Sequence, residues 1–275
     1  MQPNEAGLLG LLQSCNIDAL LTPIDGKLFK HMVLPSTWFR LLHRDHPRQF
    51  KLSLGASIPR LRQFWGKFLT QPATRAWADV HPFLRNRTLD DLESTIPCTI
   101  HIDGAPCSKL HSFLSVSFSS LVRNADQRST QFVCATCVKP SRSECCDVMW
   151  ETLLADMDSL ATGVVNGTDV ARSADGTRWK MVLLVAKADE EQRCNEFKLP
   201  HYSSDEPCSE CTSNRSTRPF TDLRACAAWR SGEDMPFEFY KARLGAPLHP
   251  LARSHYFCNR WFSTWTPCTC WIARV

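Results

Sequence analysis

Met181 to Ala186 is the longest run of strictly apolar side chains in this sequence. Six residues are too few to cross a bilayer, which takes roughly 20, but they suit a strand. With Trp179 in front and Lys187-Ala-Asp189 behind, the segment predicts a strand over Trp179 to Ala186. Such a strand needs partners for its backbone N–H and C=O groups. Upstream, Cys98-Thr-Ile-His-Ile-Asp103 alternates and is β-branched, which predicts a strand ending at Asp103-Gly104. Phe113 to Phe118 alternates again, with Phe113, Val116 and Phe118 apolar, and Gln131 to Cys134 is a third short candidate. Residues 145–161 carry Val148, Met149, Leu153, Leu154, Met157 and Leu160, which suits a helix. Gly163 to Asp175 reads as a polar, Gly-containing loop. The order strand, strand, short strand, helix, strong strand places the chain in the mixed α/β class.

Residues 1–95 have a different texture, of helices and connectors. Ser36 is placed to cap a helix through Trp38, Phe39, Leu41 and Leu42 that stops near Pro47. Ser57 and Pro59 open another, with Leu61, Phe64, Trp65 and Phe68 at spacings of three and four. Thr88 with Asp90, Asp91 and Glu93 reads as a short acidic first turn. Arg40, Arg44, Arg48, Lys51, Arg60, Arg62 and Lys67 make this region basic; a DNA-facing surface is one reading and a solvated helix face is the commoner one. Net charge is only +4, compatible with a nucleic-acid partner without demanding one. No segment is apolar enough to span a membrane, and Met1-Gln-Pro-Asn-Glu lacks the basic start and apolar stretch of a secretory signal. The expectation is an intracellular protein, of nucleus or cytoplasm, with no membrane partner.

Acidic residues close both of the main strands. In the RNase H-like fold an antiparallel trio leads through a helix to a fourth strand, parallel to the first, so that the ends of strands one and four lie side by side. Here those ends carry Asp103 and Asp189. Two-metal phosphoryl chemistry needs carboxylates close enough to hold hard cations about 4 Å apart. Acidic strand ends are also common as mere solvated positions. His101-Ile-Asp-Gly-Ala-Pro106 resembles the corresponding strand of transposases of the CACTA type. The stretch from Leu183 to Cys211 is similar to their segment in which a strand ends in an acid and a Cys-x-x-Cys follows. Asn214-Arg215, Pro219 to Leu223, Ala228-Trp229-Arg230 and the pattern from His46 to Leu69 fit the same group, and the likeness spans most of residues 35–255. The resemblance implies a DNA-transposition enzyme in which Asp103 and Asp189 match the first two acids of a DDE/D triad. It also implies Mg²⁺ as the ion that would activate water or a 3′-hydroxyl against DNA, if the chain is catalytic.

Cysteine is abundant, at 14 of 275 residues. In a reducing compartment, clustered Cys suggests metal rather than disulfides. Cys208-Ser-Glu-Cys211 has the spacing of a zinc-chelating pair, and a tetrahedral site needs two more ligands. The family resemblance points to His249 and His255; Cys258 and Cys194 are alternatives. Cys134-Ala-Thr-Cys137, with Cys145-Cys146 nearby, could complete a second site or join the first. Cys15, Cys98, Cys107 and Cys226 read as small buried hydrophobes. His31, His43, His46 and His81 read as surface or half-buried residues, and Trp229, Trp261, Trp265 and Trp271 as packing rather than base-stacking groups.

The stretch from Arg260 to Ile272 has three Trp and no period. Its codons constrain a shifted frame to (L/M/V)-D-x-(L/M/V)-(H/Y)-(L/M/V)-L-D, which resembles the segment that follows the zinc region in the same transposases. The expectation is a helical N-terminal region over 1–95, a partial RNase H-like core over 96–200, a Cys/His-rich segment over 201–258 and an irregular, frameshifted tail over 259–275. The third acid is then missing, and the chain is expected to be an inactive transposase-like remnant. The alternative is a zinc-stabilised module that binds DNA or protein without catalysis.

Overall fold

The computed structural model describes residues 21–23, 31–106, 112–123, 131–138, 147–188, 194, 203–206, 214–219, 224 and 249–256. A two-stranded ribbon of β1 (Leu21–Pro23) and β2 (His31–Val33) leads into four helices. These are α1 (Pro35–Asp45), α2 (Pro47–Leu54), α3 (Ile58–Thr70) and α4 (Pro72–Val80). Each begins with a proline in its first two positions. The missing N–H costs nothing there and the fixed φ is already helical. Pro47 therefore starts a second helix as well as ending the first. α2 closes on Gly55 at φ 66°, the left-handed conformation that favours glycine.

The helices are held by their apolar faces. Leu61, Trp65 and Phe68 of α3 are buried, and the Trp65 indole N–H donates to the Thr95 carbonyl at 2.8 Å. Thr88 and Asp91 form a reciprocal capping box at α5 (Leu89–Leu92), as the acidic turn in the sequence suggested. Ser36 does not cap α1, because Leu34 occupies the N-cap position. Its N–H and Oγ instead donate to the Asp156 carboxylate, at 2.7 and 2.5 Å.

The sheet follows. β3 (Thr95–Pro106), β4 (Ser112–Ser120) and β5 (Phe132–Val138) are antiparallel neighbours; α6 (Asp147–Thr162) then leads to β8 (Lys180–Ala188). The strand order is β5-β4-β3-β8, with β8 parallel to β3. The mixed α/β class and the parallel pairing of β3 with β8 are as expected. Two details differ. β3 runs three residues beyond Asp103, paired to β4 as far as Pro106↔Ser112, and the alternation of β4 buries Leu114, Val116 and Phe118. The polar segment after α6 is also not a plain loop. It folds as a hairpin of β6 (Val164–Val165) and β7 (Thr168–Asp169), with Asn166 and Gly167 at φ 50° and 76°. Positive φ at both central residues is the Asn-Gly signature of a type I′ turn, whose twist matches the strands.

One continuous core cluster joins helices and sheet, from Met32 through Trp65, Ile100, Val116 and Leu153 to Leu183 and Tyr256. Full burial of side chains of this size contributes about 1.5–3 kcal/mol each. Cys98 and Cys134 lie inside it, and burial pushes both thiols up, so they stay protonated. Among the described residues no helix is long and apolar enough to cross a membrane.

Candidate functional site

Strand alternation divides the side chains of β3 and β4 between two sides, and Val133 of β5 and Val185 of β8 share the second side, opposite Ser117 and Thr99. On β3, Ile100 and Ile102 enter the core, while Thr99, His101 and Asp103 take the other side. Their β4 partners are all serines: Thr99↔Ser119, His101↔Ser117 and Asp103↔Ser115. β8 places Lys187 opposite His101 on this side. Exposure rises along the strip. Thr99, Ser117 and Ser119 are buried, His101, Ser115 and Lys187 are half-buried, and Asp103 is exposed. This side therefore opens towards the carboxylate.

Two side-chain hydrogen bonds join β3, β4 and the start of β5 on this face. Gln131, just before β5, donates through Nε2 to His101 Nδ1 at 3.4 Å, and its Oε1 accepts from Ser117 Oγ at 3.3 Å. Burial, with the Arg123 guanidinium nearby, holds the Lys187 ammonium below the usual lysine range. The assembly offers one accessible carboxylate, hydroxyl oxygens, an imidazole and an ammonium. That set suits a hard cation or an anionic oxygen ligand.

The second acid, Asp189, lies outside the described residues, as do Cys208, Cys211, Cys258, Cys145 and Cys146. The β3–β8 ladder is described as far as Ile102↔Ala188, the residues that immediately precede Asp103 and Asp189. The parallel ladder thus brings the chain to the threshold of both acids at the same level. Arg260 to Ile272 also lies outside the described residues.

The two histidines read as zinc ligands sit in the last described segment. His249 is buried at the start of α7 (Pro250–Arg253), its ring edge-on to Trp150 at 5.1 Å. Its Nδ1 accepts from the Leu251 N–H at 3.2 Å, so only Nε2 could reach a metal. His255 is exposed and its Nε2 lies 3.0 Å from Asp158 Oδ1, which leaves Nδ1 for any ligand. Cys194 is half-buried. Cys134 and Cys137, read as half of a possible second site, both belong to β5, and Cys134 is buried. Among the described residues no group of three His, Cys, Asp or Glu side chains could hold a metal ion.

His81, read from sequence as a surface or half-buried group, is fully buried. It donates through Nε2 to the Leu183 carbonyl at 2.9 Å, and burial pushes its pKa down to about 4. Leu183 adjoins the point where the β3–β8 register slips by one residue. Gln131, Ser115, Ser117 and Lys187 were not singled out from sequence. The serines had a signal in the alternation of Ser115, Ser117 and Ser119 with Leu114, Val116 and Phe118, whereas Gln131 and Lys187 had none. Comparison with family models, with curated proteins and with solved structures finds no match to this chain.

Proposed function

We propose that this chain is a transposase-like protein, the remnant of a DNA-transposition enzyme, built on a partial RNase H-like core. One observation carries the reading: β3 and β8 run parallel to Ile102↔Ala188, one residue before Asp103 and Asp189, within the order β5-β4-β3-β8 and with α6 between β5 and β8. Adjacent parallel strands are a rigid way to bring two carboxylates to one place. Asp103 is exposed and stands opposite Ser115, its partner on β4. The pair would hold Mg²⁺, whose chemistry is to polarise a phosphodiester and the attacking oxygen. We read the chain as one that engages DNA without cutting it, because the frame-shifted reading of Arg260 to Ile272 takes the segment before the third acid out of this protein. Cys208 and Cys211 would hold a structural zinc together with His249 through Nε2 and His255 through Nδ1.

The test is ion binding by the purified chain. Mn²⁺, followed by electron paramagnetic resonance, is expected to bind. Asp103→Asn or Asp189→Asn should weaken it at least about tenfold, the loss of one charged ligand at about 1.4 kcal/mol or more. A labelled duplex should remain intact with Mg²⁺ or Mn²⁺. Mn²⁺ binding indifferent to both substitutions would remove the carboxylate-pair reading. Cleavage that disappeared in Asp103→Asn would replace the remnant with an active nuclease.

A further inference from the structure

His101 is the one imidazole on this face of the sheet among the described residues, two positions before Asp103 and on the same side of β3. A histidine on an exposed strand normally divides its proton between the two ring nitrogens. Here the ring is not left to do so. The Gln131 amide meets Nδ1, and Ser117 meets the other end of that amide. Ser117 is buried on β4 directly opposite His101, so the relay is anchored in the sheet at both ends. In this orientation of the amide Nδ1 accepts, and the neutral ring then carries its proton on Nε2. Lys187, in register with His101 on β8, adds a positive charge beside the same ring.

We propose that Gln131 is a positioning residue: it holds His101 with Nδ1 as acceptor and so keeps Nε2–H as a donor for a phosphodiester oxygen beside Asp103. The proposal rests on the reading of Asp103 as part of a phosphodiester site, and it adds the groups that would receive the phosphate. A phosphate next to a carboxylate needs donors and cations on its other side, and His101 and Lys187 supply one of each. Fixing the tautomer matters because an Nε2 lone pair would repel the anion that an Nε2–H attracts. Gln131 is exposed and reaches the site through His101, and replacing it also takes one hydrogen bond from Ser117.

The experiment uses the full chain labelled with ¹⁵N at histidine. Two-bond nitrogen–proton spectra should show His101 as a single Nε2–H tautomer. Gln131→Leu, which changes no charge, should relax it to the mixture of a free imidazole while the cooperative melting transition is kept, lowered by no more than the loss of the Ser117 hydrogen bond. The same variant should bind a fluorescent DNA duplex about tenfold more weakly, the scale of one hydrogen bond to a charged group. A wild-type His101 in the Nδ1–H form, or already mixed, overturns the proposal. So does undiminished duplex binding in Gln131→Leu. If the wild-type chain binds no duplex at all, the transposase-like reading fails by itself, and inorganic phosphate decides the rest. A phosphate-induced shift of the His101 Nε2 signal that is lost in Gln131→Leu keeps the anion seat, and no shift overturns it.

Discussion

Replacing Asp156 with alanine should loosen the joint between the helical region and the sheet. The Asp156 carboxylate lies on α6 and accepts two hydrogen bonds from Ser36, the second residue of α1. One of the donors is a backbone N–H in the first turn of α1, a group with no partner inside its own helix. The carboxylate therefore caps a helix about 120 residues away in the chain, and its charge faces the positive end of the α1 dipole. A hydrogen bond to a charged group contributes about 1.5–3 kcal/mol. Asp156→Ala removes two and leaves the Ser36 N–H buried and unmet. Against this, the variant is relieved of burying a carboxylate, a cost visible in the raised pKa of Asp156, for which burial is the leading cause. The net expectation is a destabilisation of about 2–4 kcal/mol. In urea, with an m-value of about 2–3 kcal/mol/M, the midpoint should fall by about 1 M without a change in slope. Ser36→Ala removes only the hydroxyl bond, so a double-mutant cycle should give a coupling of about 1 kcal/mol or more. Acidification supplies a second reading. A carboxyl raised in the folded state costs stability while ionised and stops doing so once protonated. Wild type should therefore gain on Asp156→Asn as pH falls through the range just above 3.8. A midpoint shift worth less than about 0.5 kcal/mol, or a coupling near zero, would refute the capping argument.

Two further outcomes follow from the same structure, and a third from the proposed zinc. His81 is held at a pKa of about 4 against 6.5 when free, so the unfolded chain takes up its proton first as pH falls. Wild type should lose about 3 kcal/mol relative to His81→Gln between pH 6.5 and 4, and parallel stability curves for the two proteins would contradict this. Gly55→Ala would place a methyl group on the Val122 carbonyl oxygen at a φ of 66°, and chemical denaturation should show a loss of about 2–4 kcal/mol. Elemental analysis should find one zinc per chain, reduced in Cys208→Ser together with thermal stability; a metal-free wild type would sink the zinc site.

Much of the fold was legible because it was written in period. The alternation at Cys98 to Asp103, the apolar run at Met181 to Ala186 and the three-and-four spacing of Leu61, Phe64, Trp65 and Phe68 each described one element, and each element forms. What escaped was set by partners distant in sequence. Ser36 has the chemistry of an N-cap, yet a buried carboxylate about 120 residues away claims it. His81 looked like a surface group because nothing local announces the Leu183 carbonyl that it meets. The hairpin at Asn166-Gly167 was a local signal overlooked, since Asn-Gly is the dipeptide that tolerates two successive positive φ values. For the candidate site, the acid at Asp103 was visible as a strand-end residue, but the serines, Gln131 and Lys187 around it become neighbours only once register is known.

The parallel ladder also has a consequence for the order of events during synthesis. Thr95 pairs with Lys180, 85 residues further along the chain, and the β4 side of β3 is satisfied long before its β8 side exists. At roughly 5–20 residues per second, a ribosome leaves that edge of β3 without its strand for roughly 4–17 s. Forming such a long-range pair late carries the largest loop-closure cost in the sheet, which slows the final docking step. For that interval the nascent chain presents an open row of backbone donors and acceptors flanked by Ile96, Cys98, Ile100 and Ile102, the kind of edge that another nascent strand can join. The yield of folded protein should therefore depend on how quickly β8 follows α6 out of the ribosome.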